Sequence, residues 1–153
     1  MKYAEKTSVS SEQSRVEIER TLRRYGASGF MYGWGEKNAM ILFEMANRRV
    51  KFILPLPDRS SSEFTRTPAR GTSRSPQQAE AAWEQSCRQR WRALALVIKA
   101  KLEAVDSGIT VFEDEFLAHI VLPSGGTVSE FMRPQIAVAY ETGKMPNLLP
   151  ETT

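Results

Sequence analysis

The spacing of apolar positions changes along the chain, and each change marks an element. Over residues 75–106, Trp83, Cys87, Trp91, Leu94, Ile98, Leu102 and Val105 recur in steps of three and four, the repeat of one helix face. Ala79, Ala95 and Val97 widen the stripe, so the pattern predicts one long helix buried along much of its length. Its ends are marked as well. Ser75 suits the N-cap, Pro76 the first helical position, and Gln78 completes a capping box. Gly108 stands where a left-handed stop is easy. At 1.5 Å per residue this rod is about 45 Å long, enough to cross a small domain.

Upstream, Ser10 and Gln13 form a second capping box, opening a helix that runs to about Tyr25 with Gly26 as its stop. Ile18, Leu22 and Tyr25 share its inner face. From Ser28 the period falls to two. Residues 30–34 read as a strand, 35–38 as a turn, 40–45 as a second strand, 46–48 as a turn and 49–54 as a third strand. Pro55-Leu56-Pro57 ends the sheet, because proline cannot donate to the ladder. After Gly108, residues 111–121 read as a third helix. A fourth segment starts at Thr127 with Glu130 at capping-box spacing, bends or restarts at Pro134 and stops near Gly143. The expected architecture is α+β: a three-stranded antiparallel meander packed against one long helix, flanked by an N-terminal helix and C-terminal helices.

At 153 residues the chain fits a single domain over 1–153, with 1–9 as a loose arm and 58–74 as a flexible basic loop. The tail carries Leu148 and Leu149 between prolines and is placed to tuck against the body. A hydrophobic fraction of 41% beside 25% charged residues excludes global disorder. The overall charge of +3 is unevenly spread: residues 59–101 hold nine cations against three acids, a balance of +6, so the remainder carries −3. That asymmetry favours nucleic acid or another polyanion as partner. Cys87 stands alone, which excludes an intramolecular disulfide and fits a reducing cytoplasm. No apolar run approaches 18 residues and the N-terminus holds no hydrophobic segment, so neither a membrane partner nor a secretory signal is expected.

Enzyme chemistry finds little material. His119 is the only histidine and sits among apolar residues; with one His and one Cys, a zinc site of the usual kind cannot be built from this chain alone. Glu113, Asp114 and Glu115 are consecutive, which spreads them around a helix as a solvated face. There is no phosphate-binding glycine motif. No catalytic residue, metal ligand or cofactor is therefore assigned. Binding chemistry is richer. Arg59, Arg66, Arg70 and Arg74 lead into the start of the long helix, whose free N–H groups favour anions, and Arg88 and Arg92 follow on its basic ridge. Phe30, Tyr32 and Trp34 alternate on the first strand, either as the sheet's core face or as a platform on which bases stack beside cations.

The stretches RRYGASGFMYGWG, RRVKFILPLPD, AWEQSCRQRWRALALVIKAKLEAV and FEDEFLAHIVLPSGGTV resemble a family of small conserved bacteriophage and prophage proteins over nearly the whole chain. The resemblance implies a setting, the cytoplasm of a phage-infected bacterium, and no mechanism or site residues. A meander followed by a long helix is also similar in element order to phage single-strand annealing proteins, a likeness of fold alone. The reading that follows is a non-enzymatic phage accessory protein binding nucleic acid, preferably single-stranded. It would use Arg59, Arg66, Arg70, Arg74, Arg88 and Arg92 on phosphates, and Tyr32 or Trp34 for stacking. The alternative is a protein that binds or sequesters a host defence factor or a small anionic nucleotide. A third reading is a hydrolase holding a metal at Glu113–Glu115. A homo-oligomer is compatible with each.

Overall fold

Ser10 caps the first helix, its hydroxyl accepting from the Gln13 N–H while Gln13 reaches back to the Ser10 N–H, and α1 runs over Ser11–Arg24. The computed structural model describes residue 4 and residues 6–145, so the expected tail at Leu148 and Leu149 lies outside the described residues, as do residues 1–3 and 5 of the arm. Three strands follow: β1 (Gly29–Trp34), β2 (Asn38–Met45) and β3 (Arg48–Pro55). They form an antiparallel sheet in the order β1-β2-β3. The β2–β3 turn is a two-residue reversal in which Ala46 and Asn47 both take positive φ, 52° and 58°. That geometry matches the right-handed twist of the strands.

The register fixes the two faces of the sheet. Residues directly opposite in an antiparallel pair project to the same side, so Phe30 with Phe43, Tyr32 with Ile41 and Trp34 with Ala39 share one face. Ala39, Ile41 and Phe43 are buried, which makes this the covered face. Its cover is α3 (Pro76–Asp106), capped by Ser75 and Gln78 as the spacing predicts and burying Cys87, Trp91, Ala95, Ile98 and Leu102. α1 lies alongside, adding Ile18 and Leu22 to the same core. Arg92 pairs with Glu17 and the Tyr25 hydroxyl bonds Glu103, which ties the two helices together. The opposite face, with Met31, Met40, Leu42 and Ile53, has no helix packed over it among the described residues, and Met31 and Ile53 are more than half exposed.

Residues 58–74, expected as a flexible basic loop, carry the one-turn helix α2 (Ser62–Thr65) and a tight bend closed by a bridge between Arg66 and Ser73. Phe64 anchors this segment by burying against the body. Of the N-terminal arm, Ala4 is buried and the Thr7 carbonyl accepts from Gln85 Nε2 at 2.9 Å.

The helix expected over 111–121 does not form as such. A single turn, α4 (Phe112–Glu115), leads into a 3-10 turn at Leu117–His119, and the chain then extends. Ile120 bridges Val50, and the Val121 N–H donates to the Arg49 carbonyl at 2.8 Å. The open edge of β3 thus offers the backbone partners that a continuing helix would otherwise supply, and Val111 provides no side-chain cap to hold the helix start. Phe116, fully buried at this break, meets Phe43 and Phe52 edge-on, with ring centroids at 5.9 and 6.3 Å. The last helix, α5 (Val128–Thr142), is capped by Thr127, passes through Pro134 without interruption and stops at Gly143 in the left-handed region. No helix among the described residues is long and apolar enough to cross a membrane.

Candidate functional site

The chain's three tryptophans, one on β1 and two on α3, all border one groove of about 540 Å³. The register explains Trp34: it lies on the covered face at the edge strand, where the helices no longer reach, and is 75% exposed. Trp83 and Trp91 come from α3 two turns apart. Trp91 is buried as the floor, and Trp83 is fixed by its indole N–H donating to the Pro57 carbonyl at 2.7 Å. The start of α1 closes the other wall with Ser11, Glu12 and Arg15. Tyr32, 48% exposed, stands beside it with its ring 4.8 Å from the Arg15 guanidinium, which also lies 5.5 Å from Trp91. Phe30, by contrast, packs against the core.

The groove's charges balance. Arg15 and Arg88 face Glu12 and Glu84, and Arg15 lies 3.7 Å from Glu12. Arg88 places Nε and Nη2 on Gln85 Oε1 at 2.9 and 2.6 Å, and its Nη1 has no hydrogen-bond partner among the described residues. The walls are thus aromatic and the electrostatics local, an arrangement suited to stacking a flat aromatic group.

The arginines expected to form one anion site take separate tasks. Arg59 grips both oxygens of Glu80 at 2.6 and 2.7 Å and lies over the Trp83 ring at 3.7 Å. Arg66 donates to the Gly71 carbonyl at 3.0 Å, closing the bend, and Arg74 donates to the Phe64 carbonyl at 3.2 Å. Arg92 is engaged by Glu17. Arg70 is exposed and has no hydrogen bond or ion pair among the described residues. At the start of α3, Pro76 has no N–H and the Gln78 N–H is taken by Ser75 Oγ, so Gln77 offers the remaining first-turn donor. The structure therefore gathers Arg88, Tyr32 and Trp34 at the groove, with Arg59 behind Trp83. Arg66, Arg70 and Arg74 lie on the adjoining segment, where α2 packs on α3. Arg15 is a participant that sequence patterning did not single out, while Arg90 does not border the groove and its Nη1 donates to the Pro55 carbonyl at 2.6 Å. The only signal for Arg15 was its helix face, and that acquires meaning once α1 lies on α3.

Other reactive groups are held in structural roles. Cys87 is buried on the α3 stripe, and that burial raises its thiol above the ordinary range. His119 stacks on Phe52 with ring centroids 4.0 Å apart, and burial, followed by the nearby Lys101 ammonium, lowers its imidazole. Glu113 pairs with Arg48 at 3.1 Å and Glu115 with Lys101 at 3.1 Å, so two of the three consecutive acids turn to different cations. Among the described residues, no group of three histidine, cysteine or acidic side chains is arranged to hold a metal ion. No family model, curated protein or solved structure matches the chain.

Proposed function

We propose that the protein binds single-stranded nucleic acid, without catalysis, by stacking bases in the tryptophan groove. The observation that carries this reading is the convergence of Trp34, Trp83 and Trp91, with Tyr32 and Arg15, on one groove. Base–aromatic stacking contributes about 1–3 kcal/mol per base and needs no particular sequence. Trp34 and Tyr32 form the accessible platform, and Arg88 supplies a donor beside them. Arg66 and Arg70 give the neighbouring segment its positive charge, where the emerging strand's phosphates would run. Arg59, Arg74 and Arg92 act first as scaffold. We take the setting to be the cytoplasm of a phage-infected bacterium, as the resemblance implies.

Because the tryptophans border the site, intrinsic fluorescence reports on it directly. Titration with oligo-dT at low salt is expected to quench emission, with a matched duplex binding more weakly. Affinity should fall with salt at a log–log slope of about −0.7 per phosphate contacted. Trp34→Ala, at an exposed position that spares the core, is expected to weaken binding about tenfold. An unchanged spectrum with both probes at low salt overturns the reading.

A second reading, capture of a small anionic nucleotide, is favoured by the groove's volume, which lies within the ~300–1,000 Å³ of small-ligand sites. Affinity that is indifferent to strand length and insensitive to salt selects it.

A further inference from the structure

The last helix is apolar, and no other element among the described residues covers it. None of the 15 residues of α5 is buried, and Phe131, Ile136, Val138 and Tyr140 are 58%, 49%, 53% and 89% exposed. Among the described residues α5 is held chiefly at its beginning: Val128 packs against the core, Glu130 lies 3.7 Å from Lys51, and the 3-10 turn is its one extensive neighbour. A helix of this length with an internal proline is marginal alone in water, and one with apolar residues on more than one side is ordinarily covered.

We infer that α5 pairs antiparallel with α5 of a second copy of this chain, crossing at Ala137. Charge selects this occupant. Arg133 and Glu141 stand four residues on either side of Ala137, and neither makes an ion pair among the described residues. Arg133 spends one donor on Ser129 Oγ at 3.0 Å and keeps the others. A two-fold axis at Ala137 sets Arg133 of each copy against Glu141 of the other, so the same ion pair forms at both ends of the seam. The small Ala137 side chain lets the backbones approach at the axis. The same register lays Tyr140 beside Ile136 of the second copy on one side and Val138 beside Pro134 of the second copy on the other, which covers the exposed flanks. Two short helices bury a modest area beside the roughly 800 Å² per partner of a standard interface, so the association is micromolar rather than obligate. This pairing does not depend on the nucleic-acid reading.

Sedimentation equilibrium on the full chain tests it, with Arg133→Glu, Glu141→Arg and the double variant. Self-association at micromolar concentration is expected. Each single reversal sets like charges together at both ends and should weaken it about tenfold or more, while the double reversal restores opposite charges and the wild-type constant. A monomer throughout the micromolar range overturns the inference. So does a dimer indifferent to single reversals, or one that the double variant fails to restore; either result assigns α5 to a different partner or register.

Discussion

α3 and α5 begin alike and end in different circumstances. Each starts from a hydroxyl cap whose side chain accepts the third residue's N–H, and each is rich in apolar residues. Yet α3 buries a continuous stripe against the sheet and α1, while α5 buries no residue. Local sequence sets where a helix starts and stops; burial depends on a complementary surface within reach. For α3 that surface is the covered face of the meander. For α5 the described residues supply such a surface chiefly at its first turn, and the sheet face with Met31 and Ile53 carries no helix among them either.

The contrast can be broken hardest at Phe116. It is fully buried where Phe43, Phe52 and Phe112 meet. Phe116→Ala should cost about 3–5 kcal/mol, read as a lowered urea midpoint, and a loss under about 1 kcal/mol would mean that the cluster is not part of the cooperative core. Removing a cap from the covered helix comes next. Ser75→Ala deletes the bond to the Gln78 N–H and should cost about 1 kcal/mol in the same measurement.

His119 gives a smaller, pH-dependent effect. Its imidazole is held below the ordinary value by burial and by Lys101, so the unfolded chain takes up the proton first as pH falls below about 6.5. Stability should therefore decline with acidification through that window and level off once the folded-state value is passed. Comparing urea midpoints at about pH 7.5 and pH 5.5 for wild type and His119→Gln isolates the effect: the variant should lose less. Smallest of all is Tyr140→Ser on α5, which at monomer concentrations should stay within about 0.5 kcal/mol of wild type. A larger loss there would show that α5 is covered within a single chain after all.

Much of this was legible in the sequence. Both capping boxes, the long helix, the three strands and their turns follow from short-range rules about caps, period and proline, and those rules suffice where one element's pattern is unambiguous. The 111–121 segment was not legible, because Ile120 and Val121 choose the edge of β3, a partner some seventy residues upstream, over their own helix. Alternation put Phe30, Tyr32 and Trp34 on one face but could not say where the covering helices end, so one aromatic entered the core and two stayed accessible. The arginines read as a cluster of like charge; what divides them is the bend of their own segment, which brings up the Gly71 and Phe64 carbonyls, and the docking of Glu80 and Glu17 on particular guanidinium groups. The groove itself joins residues of α1, β1 and α3, a proximity that no local pattern encodes.

The strand-like contact at Ile120 has one more consequence, for behaviour in crowded solution. The bridge at Ile120 occupies the Arg49–Val50 stretch of β3's outer side, whereas β1 has no strand partner on its outer side among the described residues. β1 is six residues long and carries no charge or proline, the features by which edges usually discourage templated growth. What protects it is Gly29 and Gly33, which weaken a strand's grip on any newcomer, together with its shortness. Tolerance of the protein at high concentration to mutations that make β1 more β-prone will be set at that unpaired border.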